Sequence, residues 1–198
     1  MTLRVVVVGP ADNMDATLTE VVDRALFDPL TTQVLYLAHD GAASRVLSQH
    51  PTALSEQAFL SQAVDVALAG SAEDIAALLA AEARGNRLSA VRCLPAAPAR
   101  AVEMLERWML LSVYDKAVLE EDDIANAQVI LYGKSERPAL TRFGPRCFFS
   151  PGPLSAGCIG VLELQNNGDL VLQIVQLDGQ VREHEHLPAL PPKLVVTA

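Results

Sequence analysis

Apolar residues fall in short unbroken runs separated by polar turns, with helical spacing in the intervening stretches. Residues 3–8, Leu-Arg-Val-Val-Val-Val, form a β-branched run of the kind buried on both faces of a sheet. Gly9-Pro10 ends it, and Asp12 or Asn13 is placed to cap a helix running to about Asp28. Leu18, Val21, Val22, Ala25 and Leu26 recur there at helical spacing. Pro29 stops the helix, and residues 34–38 make a second buried strand that ends at His39-Asp40. Strand, helix and strand in this order imply a parallel pair with a right-handed crossover.

Residues 41–63, rich in Ala, Ser and Gln, predict helix in two pieces broken at Pro51, and 64–69 reads as another strand. Ser71-Ala-Glu-Asp74 is a capping box that opens a helix to about Ala83, with Gly85-Asn86 as its C-cap. Strands at 89–94, 101–105 and 108–114 follow, with Glu106-Arg107 as a tight turn between the last two. The acidic run Glu120-Glu-Asp-Asp123 opens a short helix to 125, where carboxylates meet the positive end of the helix dipole. Strands at 128–131, 139–142, 146–149, 159–165 and 170–177 complete the pattern. Asn166-Asn-Gly-Asp169 makes a hairpin turn between the last two. A βαβ first half and a strand-rich second half predict an α/β fold. Two mixed parallel and antiparallel sheets pack face to face with helices outside, an α/β/β/α sandwich of four layers. Residues 1–180 are expected to form one domain with 41–72 as an insertion. Residues 181–198, including Leu187-Pro-Ala-Leu-Pro-Pro-Lys193, are expected to be an extended tail.

Composition narrows the function. At 198 residues the chain is the size of one domain, and 51% hydrophobic with 5% aromatic residues makes its core aliphatic. A net charge of −9 excludes general binding to nucleic acid or anionic membranes, which need clustered Lys and Arg. Cys93, Cys147 and Cys158 form no CxxC, and they read as reduced, buried thiols of a cytoplasmic protein. The run Val5-Val-Val-Val8 is too short for a signal segment or a membrane span. Glu183-His-Glu-His186 could hold zinc only with further ligands, and Trp108 reads as core. There is no G-x-S-x-G, Walker A or dinucleotide-binding glycine pattern.

Two segments carry a resemblance. Tyr132-Gly-Lys-Ser-Glu-Arg-Pro138 and Phe148-Phe-Ser-Pro-Gly-Pro-Leu-Ser155 resemble the closing signature of the small calcineurin-like metallophosphoesterases. In that family a strand ends in Tyr-Gly-His-Thr-His-x-Pro, and a later hairpin reads Asn-Pro-Gly-Ser. Tyr132, Gly133, Pro138, Pro151 and Gly152 match, whereas Lys134 and Glu136 stand in place of the two metal-binding histidines. The order of elements is similar to the small one-domain phosphodiesterase branch, which includes the retromer scaffold subunit of this fold. The resemblance implies a four-layer fold with a dinuclear metal site at the C-terminal strand ends. Two metals about 3.5–4 Å apart would clamp phosphoryl oxygens there.

Carried over residue by residue, the ligand positions are occupied by other chemistry. Pro10 and Asp12 stand at the family's Asp-x-His. His39, beside Asp40, stands at its bridging Asp. Leu94 stands at its amide ligand, with Arg84-Gly-Asn86 and Gly70-Ser71 as rival alignments. Tyr114 stands at the His of a His-Gly motif. Proline cannot ligate, a neutral imidazole is a poor bridge, a neutral phenol is a poor ligand, and a lysine ammonium repels cations. Lys134 is expected to pair with Asp12, Asp40 or Glu136. The resulting expectation is a catalytically inactive scaffold with no metal cofactor and no catalytic residue, engaged with a protein partner or with itself. Two alternatives stand beside it. One is a hydrolase with a single Mn or Zn on Asp12, His39, Asp40 and Glu136. The other is a sensor that holds a small anion on Lys134 and Arg137.

Overall fold

A computed structural model describes residues 2–49, 56–96 and 98–189. In the first sheet β1 (Leu3–Val8) pairs in parallel with β2 (Thr31–Tyr36), and α1 (Asp15–Phe27) forms the crossover. β3 (Val91–Cys93) continues this edge in parallel. On the other side β9 (Cys158–Leu164), β10 (Leu170–Gln176) and β11 (Val181–Leu187) add antiparallel neighbours. The second sheet has β5 (Trp108–Val113), β6 (Val129–Tyr132) and β8 (Arg146–Ser150) in parallel. Its edges are the antiparallel strands β4 (Ala101–Leu105) and β7 (Ala139–Phe143).

Alternation along β1 explains its apolar run. Val5 and Val7 face the second sheet and pack with Leu35, Leu110, Leu131 and Phe149. Val6 and Val8 face outward and pack with Leu18 and Val22 of α1 and Val46 of α2 (Ala42–Ser48). A strand sandwiched between a sheet and helices has no polar face, so the expected continuous run follows. On the far side α5 (Glu121–Asn126) covers Leu111 and Ile130 through Ile124. The four-layer α/β/β/α build with mixed sheets is the one expected. Trp108 is buried, and its indole N–H donates to the Gly168 carbonyl at 3.0 Å.

Several local expectations are corrected. Residues 64–69 are helix, as the end of α3 (Glu56–Ala69), because a short apolar run suits either element and this one continues an Ala-rich helical stretch. α4 (Ala72–Leu88) opens on the expected Ser71–Asp74 capping box but runs through Gly85 to Leu88. A mid-helix glycine weakens a helix without ending it. The N-cap of α1 is Met14, while Asp12 and Asn13 take left-handed backbone angles of 49° and 67° and cap nothing. Ser89 and Ala90 close the end of α4 through turn bonds, so β3 is shorter than expected. Cys147 and Cys158 are buried as expected, but Cys93 is exposed. Residues 181–187 are extended and hydrogen-bonded to β10. The expected break at Pro51 and residues 190–198 of the Pro-rich segment lie outside the described residues.

Candidate functional site

The strand ends converge through backbone-to-backbone contacts that only glycine permits. A Cβ on Gly133 would lie 1.8 Å from the Leu37 carbonyl oxygen, and one on Gly9 would lie 1.8 Å from that of Gly152. Gly152, at φ 72°, sits against the Arg137-Pro138 peptide. The amide of Leu154 donates to the Pro10 carbonyl at 2.8 Å. Glycines 9, 133 and 152 thus bring β1 and β2 of one sheet against the loops after β6 and β8 of the other. Gly133, Pro138 and Gly152, which carry part of the resemblance, meet at this close approach.

Around the junction each predicted position has a definite setting. Pro10 offers only its carbonyl, already used by Leu154. Asp12 is exposed, and its carboxylate accepts from the Ser155 hydroxyl at 3.4 Å. His39 is exposed, with its ring edge-on to Tyr114 at 5.0 Å between centroids. Leu94 is buried in the core between the sheets. Tyr114 is half-buried and packs against both the inter-sheet and the helix-side cores. Glu136 and Arg137 are exposed.

Lys134 pairs with Asp115 at 2.5 Å, not with Asp12, Asp40 or Glu136. β5 and β6 are parallel neighbours, and the amide of Lys134 donates to the Tyr114 carbonyl at 2.7 Å, which sets residues 134 and 115 side by side. The lysine hydrogen bond holds the Asp115 carboxyl below its ordinary range, helped by the Ala117 amide. The same hydrogen bond and charge raise the Lys134 ammonium. Next to this pair, the Lys116 ammonium lies 4.7 Å from the centre of the Tyr132 ring, a cation–π contact.

Asp40 is committed elsewhere. It accepts from the Tyr36 hydroxyl at 2.9 Å and from the Ala42 amide at 3.0 Å. The Tyr36 oxygen in turn accepts from the Ala11 amide at 2.9 Å. Burial first, and then Asp40, push the Tyr36 hydroxyl well above its ordinary pKa, so it stays a donor at neutral pH. This chain from Ala11 through Tyr36 and Asp40 to Ala42 joins the loop after β1 to the start of α2. Sequence reading missed Tyr36 and Asp115. Their signals were present, a Tyr four residues before Asp40 and an acid directly after Tyr114, but only tertiary pairing gives them partners.

These residues do not fit a dinuclear metal centre. A prolyl carbonyl, a core leucine, an edge-packed tyrosine and an ion-paired lysine stand at four positions where the resemblance implies ligands. Asp12, Asp40 and Glu136 remain as carboxylates on the loops, and Asp40 already accepts two donors from its own chain. Among the described residues, no group of three His, Cys, Asp or Glu is arranged to hold a metal. His184 and His186 share one side of β11, and His186 contacts Asp169 at 2.8 Å. A cleft of about 430 Å³ lies away from the junction, between α1 and the outer face of β9 and β10. Arg4, bonded to both Asp28 and Glu163, lies along it. Among the described residues, no helix is long and apolar enough to cross a membrane.

No family model matches the chain, and no curated protein matches it in sequence. Solved structures do. A predicted phosphoesterase from Streptococcus pneumoniae is similar over 94% of this chain and 97% of its own, at 12% identity and a TM-score of 0.57. Vacuolar Protein Sorting 29 from Cryptosporidium parvum is similar over 94% and 98%, at 12% identity and a TM-score of 0.54. A single mutant of Vps29 from Entamoeba histolytica is similar over 93% and 98%, at 14% identity and a TM-score of 0.50. Two mixed sheets between helices, glycine-packed strand ends and these neighbours together give the chain the fold of the calcineurin-like metallophosphoesterases.

Proposed function

We propose that this protein is a catalytically inactive, metallophosphoesterase-like interaction module. The observation that carries the reading is the ion pair between Lys134 and Asp115 at the end of β6, where the family places metal-binding histidines. The Lys134 ammonium has no lone pair to offer a divalent ion, and Asp115, which it pairs with, is no longer free to ligate. The glycine junction, by contrast, is kept, so the packing frame stands without the chemistry of the metal edge. Resemblance to a branch that contains a retromer scaffold subunit supports the interaction half of the reading. On this reading the protein acts in the cytoplasm without a resident metal.

The single-metal and anion alternatives gain no support from the geometry. Asp40 and Lys134 are each tied to partners within the chain, and His39 packs on Tyr114. The test is elemental analysis of the purified protein after soaking in manganese or zinc and dialysis, with a phosphodiesterase assay on the same sample. No retained metal and no metal-dependent hydrolysis are expected. One or two tightly held ions per chain, or robust hydrolysis, would overturn the reading.

A further inference from the structure

We draw no further inference here: the strongest candidate, the cleft of about 430 Å³ between α1 and the outer face of β9 and β10, carries nothing, because its Arg4 guanidinium is already paired with Asp28 and Glu163 and nothing in the structure shows what covers its apolar walls.

Discussion

The strand-end junction and the α3–α4 hairpin are opposite cases in one chain. At the junction, glycines are packed to backbone contact, with the Lys134–Asp115 ion pair beside them. On the hairpin, apolar residues that could form a core face solvent. Backbone from both sheets closes on Gly9, Gly133 and Gly152, so a side chain added at any of them is felt. The hairpin has contacts mainly between its own two helices and with α1, so its outer residues are free to vary in the protomer. Strand ends can be held by backbone contact alone, while a surface hairpin can carry apolar character that the protomer does not bury.

Substitutions rank the two regions. Gly133→Val should be the most damaging, since even a methyl group would meet the Leu37 carbonyl and the backbone must move. A loss of about 4 kcal/mol or more is expected, read as insoluble expression or a Tm lowered by roughly 10 °C. Phe149→Ala removes a fully buried ring between the sheets and should cost about 3–5 kcal/mol in denaturant unfolding. Ser71→Ala deletes the cap of α4 and should cost about 1 kcal/mol, visible as faster hydrogen exchange confined to α4. If Ser71→Ala proved as damaging as Phe149→Ala, the hairpin would be part of the main cooperative unit and the contrast would fail.

The Lys134–Asp115 pair gives a prediction in pH rather than in energy. The Asp115 carboxyl is depressed, so its contribution is present above the unfolded carboxylate pKa and is lost as pH falls through the folded value. The Lys134 ammonium is raised, so its contribution is present below the unfolded lysine pKa and is lost as pH rises through the folded value. The pair is therefore intact across the neutral range and weakens only at the acid and alkaline ends. Carbon-detected NMR titration should find the Asp115 carboxyl low in the wild type and shifted upwards in Lys134→Ala. An unchanged Asp115 titration in that variant would show that the pair does not form in solution. The smallest effect is expected for Leu68→Ala, whose stability should stay within about 0.5 kcal/mol of wild type.

Much of the fold was legible. The run at 3–8, the helical spacing of Leu18, Val21, Val22, Ala25 and Leu26, and the Asn166–Asp169 turn each announced their element, because local periodicity reflects which face is buried. The segment at 64–69 was not legible, since Val64 and Val66 suit a strand as well as a helix and only the surrounding chain decides. Motif spacing located the junction residues, but it did not assign their partners. Asp115 and Tyr36 became visible only once β5 lay beside β6 and the loop after β1 reached β2.

By itself the sequence determined an aliphatic, acidic α/β chain with two segments that resemble a phosphoesterase frame. Those properties are local, since they rest on residue type, spacing and turn chemistry. The tertiary structure decided that Lys134 is neutralised by Asp115, that Asp40 is held by Tyr36, and that the apolar helices lie outside the core. Each of these depends on which distant strand or helix becomes a neighbour, and pairing energy between remote residues leaves no periodic mark along the chain.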